Sequence, residues 1–153
     1  MYTEKTKLKL ILLTIMVMGF TGINSSAAAA VTGKSSPALT RTHWQLIELA
    51  GRPAPAGVRD KPVKMVLIHN CNDFRVRGFS GCNRFSTTFK QSSGQLQFSR
   101  PPAGRKTCKG FMELEEQFIN ALVRTEQYRI IDQSLSLFDQ KHQPLLRFEA
   151  VKH

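Results

Sequence analysis

The sequence predicts an α+β fold: a small antiparallel β-barrel-like sheet with one packed helix. Three observations point there. Short segments of period-two hydrophobicity lie on both sides of one amphipathic stretch of helical period, Phe111 to Thr125. Turn-rich breaks separate the strand segments at hairpin distances. Strands and helices do not alternate, as a parallel α/β fold would require.

The chain has 153 residues, a length for one domain with a tail, and 41% are hydrophobic, too many for a disordered chain. No apolar run reaches the roughly 20 residues of a membrane-spanning helix. Residues 1–30 read as a secretory signal peptide. Lys5, Lys7 and Lys9 form the charged region, Leu10 to Phe20 the apolar region, and Ala27 to Ala30 offer A-x-A cleavage sites. Cleavage is expected after Ala29 or Ala30. No Cys lies near that point, since the first is Cys71, so an exported, periplasmic or secreted protein without lipidation is expected. Residues 31–41, small, polar and interrupted by Pro37, read as a flexible lead-in outside the core.

The domain is expected over 42–150. His43 to Leu49 reads as a strand that places Trp44, Leu46 and Glu48 on one face. Gly51 to Pro62 holds three prolines and two glycines and reads as loop. Val63 to His69 and Phe74 to Phe79 flank the turn residues Asn70 to Asp73. In the second strand Phe74 and Val76 face one way, Arg75 and Arg77 the other. Gly81-Cys82-Asn83 precedes the strands Phe85 to Lys90 and Gln95 to Phe98, and Ser99 to Gly110 is loop. In the helix Leu114, Phe118, Ala121 and Leu122 form one apolar stripe. Glu113, Glu115 and Glu116 near its start read as surface charge that suits the helix dipole. Tyr128 to Ile131, Leu135 to Phe138 and Leu145 to Phe148 complete the strands.

Removing Lys5, Lys7, Lys9 and Glu4 with the signal leaves 19 basic and 10 acidic residues, a net charge of +9. A basic balance suggests nucleic acid, but export argues against that partner. Phospholipid headgroups, lipopolysaccharide and acidic wall polymers remain. The charges are scattered, and most read as solvated surface. The densest cluster, Arg100, Arg105, Lys106 and Lys109, is the candidate anionic contact, for instance with a membrane surface. The four histidines share no metal-ligand spacing, and no G-x-S-x-G elbow or phosphate loop occurs. No catalytic residues, metal or cofactor are expected. Three cysteines permit one bond and leave one thiol, and spacing does not choose the pair.

Gly81-Cys82-Asn83-Arg84-Phe85, then Thr107-Cys108, then Glu115-x-x-Phe118 with Ala121-Leu122, after an opening Trp44-x-Leu46, resemble the META-domain family, the HslJ-like heat-shock proteins. The resemblance covers about 42–150. It implies a compact antiparallel barrel with a packed helix, and a Cys82–Cys108 disulfide with Cys71 free. Trp44, Gly81, Cys82, Asn83 and Phe118 are its motif residues, expected in structural roles. Family members are typically envelope or secreted proteins, many of them lipoproteins, linked to heat-shock induction and antibiotic tolerance. The fold is similar to pilot proteins that help secretins assemble. No catalytic residues are carried over. Two departures stand out: Gly104 where the family usually has Thr, and the extra Cys71. The expected function is a non-enzymatic exported envelope module for binding or assembly, related to stress tolerance, a monomer acting on an envelope protein or lipid. The alternative is an inhibitor of a cell-wall hydrolase.

Overall fold

The computed structural model describes residues 36–71, 73–104 and 106–152. The signal segment 1–30, the lead-in residues 31–35, and Arg105 lie outside the described residues.

Nine strands and one helix follow in order. They are β1 (His43–Leu49), β2 (Arg52–Pro53), β3 (Lys64–Asn70), β4 (Asp73–Phe79), β5 (Arg84–Ser92), β6 (Gln95–Phe98), α1 (Met112–Val123), β7 (Gln127–Ile131), β8 (Ser134–Phe138) and β9 (Pro144–Val151). Every strand pairing between them is antiparallel. β1 pairs with both β3 and β9, which closes eight strands into a barrel, and β2 is a short flap on β1. Closure removes the free edges that an open sheet would present.

Alternation builds the core. Met65 and Leu67, Val76, Phe85 and Phe89, Leu96 and Phe98, Leu135 and Leu137, and Leu146 and Phe148 point inward and are buried. Trp44 is fully buried, and its indole N–H donates to Leu39 O at 3.0 Å. In β1 the alternation breaks. The register with β9 shifts between Leu46 and Glu48, so Leu49 turns inward and Glu48 outward, where it pairs with Arg147. The expectation of Glu48 on the buried face is corrected by this bulge, which adds one residue to one strand.

The lead-in is corrected as well. Leu39 belongs to the core, Thr40 bridges Leu67, and Arg41 N–H donates to Leu67 O at 2.8 Å. The domain therefore begins before residue 42, because Trp44 needs an acceptor for its buried N–H.

The helix buries the expected stripe, Leu114, Phe118, Ala121 and Leu122. Phe118 meets Phe85 of β5 at 5.6 Å and Phe148 of β9 at 6.4 Å between ring centroids. Those strands lie on opposite sides of the ring, so α1 sits across one mouth of the barrel. The excursion through α1 thins one seam: β6 and β7 share a single registered pair, Gln95 with Gln127.

The β8–β9 turn is organised by Asp139. Its Oδ1 accepts from the backbone N–H groups of Gln143 and Lys141, both at 2.9 Å, and Arg124 pairs with its other oxygen. The Gln143 and Lys141 donors, with Arg124 beside them, hold its carboxyl below the usual range. A carboxyl depressed in the folded state stabilises above its unfolded pKa, and that contribution is lost as pH falls. Stability should therefore decline on acidification below about pH 4. Asp139→Asn should be less stable at neutral pH and show a flatter acid limb in urea melts.

Candidate functional site

Ser80 to Asn83 form a tight turn between β4 and β5. Gly81 carries φ +105°, and a Cβ there would lie 2.7 Å from the Leu114 side chain, so the position needs glycine on both counts. Ser80 donates through both its N–H and its hydroxyl to Asn83 O, each at 2.9 Å.

Asn83 is the hub. Its Oδ1 accepts from Lys106 N–H at 3.0 Å, and its Nδ2 donates to Lys106 O at 2.9 Å. Nδ2 and the Asn83 backbone N–H also donate to the Glu115 carboxylate, at 3.0 and 2.9 Å. The amide orientation follows from the partners: a backbone N–H only donates, while a carboxylate and a carbonyl only accept. One buried side chain thus ties the turn, the loop after β6 and the first turns of α1. Cys82 and Cys108 are disulfide-bonded with Cα atoms 5.8 Å apart, alongside the same contact, and Cys71 is free and exposed. Gly104 packs against this hub. A Cβ there would lie 2.4 Å from Asn83 Nδ2, so a Thr at this position would displace the clasp as it stands. Glu115, read from sequence as surface charge, is instead half of the clasp.

Asn83→Asp keeps the shape and reverses the hydrogen bonding. It removes both side-chain donors and sets a carboxylate against Glu115. The expected cost is about 2–3 kcal/mol at neutral pH. Glu115 raises the new carboxyl's folded pKa, so the deficit relative to wild type should shrink as pH falls toward about 4. Urea melts at two pH values check this. A deficit that grows on acidification would contradict the Glu115 contact.

The clasp holds the loop as one wall of an open groove of about 990 Å³. The other wall is the outer face of β3–β4–β5. Register sets Lys64 opposite Phe79 and Phe79 opposite Arg84, one row on one face. Arg59, Lys61 and Lys106 complete five cations around Phe79, Phe85 and the prolines Pro62 and Pro102, and among the described residues no carboxylate lines the groove. None of the five takes part in an ion pair found among the described residues.

The loop cluster expected from sequence divides. Lys106 lines the groove. Arg100 turns away and donates to Asn120 Oδ1 of α1 at 3.0 Å, beside a smaller depression lined by Glu115 and Glu116. Lys109 is exposed and lines neither, and Arg105 lies outside the described residues. Arg59, Lys61, Lys64 and Arg84 were not legible as a cluster, since register and chain reversal bring them together. The outward strand positions of Lys64 and Arg84 were the available signal, while Arg59 and Lys61 lie in the turn and loop before β3. Among the described residues, no three His, Cys, Asp or Glu side chains are grouped to hold a metal.

A closed antiparallel barrel with one helix across its mouth, and a disulfide-clasped loop beside it, defines a small α+β barrel domain. The META-domain family model matches residues 37–152, and the chain belongs to that family. Among solved structures, a protein from Burkholderia xenovorans determined by NMR is 22% identical. The match covers 75% of this chain and 85% of that one, with a TM-score of 0.61. A DUF4847 family protein from Bacteroides vulgatus is 14% identical over 75% of this chain and 96% of that one, with a TM-score of 0.55. At these identities the likeness is one of fold. No curated protein matches the chain.

Proposed function

We propose that the protein is an exported, non-catalytic envelope module of the stress-tolerance kind, and that it binds an anionic partner in the clasped groove. One observation carries the reading: five cations converge on a partly apolar groove that, among the described residues, no carboxylate lines. Such a cleft concentrates anions, since like-signed charges sum there, and the neighbouring carboxylates Glu115 and Glu116 line the adjoining depression that shares Arg84. Among the described residues the lining holds no His, Asp or Glu, and both its cysteines are bonded, which supports binding over acid–base or nucleophilic chemistry. The charged, apolar and Ala-rich order of residues 5–30 supports export.

Calorimetric titration with inorganic pyrophosphate tests the groove. Binding should weaken with rising salt, because the cations are exposed. It should weaken further in Lys61→Gln and Arg84→Gln. Affinity that is absent, or unchanged in both variants, would remove the groove as the site.

A further inference from the structure

The cations do not stop at the groove. Along β4 and β5 the outward positions continue with Arg77 and Lys90, in register with the Lys64–Phe79–Arg84 row. On the outward face of β3, β4 and β5 the sole carboxylate is Asp73, which pairs with Arg75. Between Lys64 and Arg84 lie two strand spacings, about 10 Å, and from Arg84 to Lys90 six residues of strand, about 20 Å. A single phosphate does not span that area, whereas a plane of phosphates does. The side chains of Arg77, Arg84, Lys64 and Lys90 are exposed, so meeting such a plane costs them little desolvation. Val66, Ile68 and Phe79 sit half-buried among them on the same face. They offer apolar area that a headgroup boundary takes up and a duplex phosphate backbone does not. An aromatic ring flanked by cations suits that boundary.

Resting on the groove as the ligand surface, we propose that the occupant is the phosphate-bearing headgroup layer of an anionic membrane. The outer face of β3–β4–β5 lies against it, and Phe79 reaches the apolar boundary. The interaction is electrostatic with a small apolar part, so it is reversible and salt-sensitive.

The test is co-sedimentation of the purified chain with mixed phosphatidylglycerol–phosphatidylcholine vesicles, read as the excess over pure phosphatidylcholine. The excess should fall about fivefold for each charge removed in Arg77→Gln and Arg84→Gln. It should hold in Lys141→Gln on the β8–β9 turn, and drop between low and physiological salt. Phe79→Ala, checked for native circular dichroism, should lower binding while leaving the salt dependence in place. No excess on anionic vesicles, or an excess indifferent to Arg77→Gln and Arg84→Gln, overturns the proposal. So does binding to duplex DNA without binding to vesicles. Pyrophosphate binding retained without vesicle binding overturns the membrane assignment alone, and loss of both removes the groove reading as well.

Discussion

Phe118→Ala should lower the free energy of unfolding by about 3–5 kcal/mol, the range for truncating a fully buried Phe. Phe118 has no exposed surface, and its ring lies between Phe85 of β5 and Phe148 of β9. Removing it leaves a void where the helix meets the barrel axis, and both rings lose a tilted or edge-on neighbour. Closed strands restrict collapse around the void, which favours the upper part of the range. Glu116, one face away and exposed, should cost almost nothing as Glu116→Ala. Urea melts that ranked the two the other way would show that the helix buries a different face.

The Cys82→Ala/Cys108→Ala double variant should lose about 3–3.5 kcal/mol. The bond joins residues 26 apart in sequence, and closing a loop of that size restricts the unfolded chain by that amount in the chain-entropy account. It is a sizeable share of the roughly 5–15 kcal/mol of a typical domain. The loss should be local in consequence. The Asn83 clasp still ties Lys106 and Glu115 in the variant, so the barrel core remains while the loop wall loosens. Cys71→Ser should leave both stability and the non-reducing peptide map unchanged, since Cys71 is exposed and unbonded. A mapped peptide linking Cys71 to another cysteine of the chain would overturn the pairing.

Much of the fold was legible because periodicity reports burial directly. The Leu114–Phe118–Ala121–Leu122 stripe and the Phe74–Val76 against Arg75–Arg77 alternation both appear as read. Ring closure was legible only through the family resemblance, because the pairing of β1 with β9 joins segments roughly a hundred residues apart and leaves no local trace. The bulge at Ile47 was hidden for a related reason: it shows itself in register, not in residue type. Leu39 was read out of the core because its neighbours are small and polar, yet the Trp44 N–H draws the chain in.

The candidate site divides in the same way. Gly81, Cys82 and Asn83 stood out through the family motif, as residues in structural roles. The role of Glu115 did not, because three glutamates at a helix start have a sufficient explanation in the dipole. The basic groove escaped because linear charge density picked out 100–109, whereas strand register assembles Lys64 and Arg84 across Phe79 and, among the described residues of the loop cluster, Lys106 alone lines the groove.

The clasped groove is proposed as the surface that meets an anionic partner. The direct measurement is two-dimensional amide NMR of the protein titrated with pyrophosphate. Saturable shifts are expected at Lys61, Lys64, Phe79, Arg84 and Lys106, with β7 to β9 unmoved. Shifts centred on Arg100 and Asn120, or spread over the barrel without saturation, would contradict it.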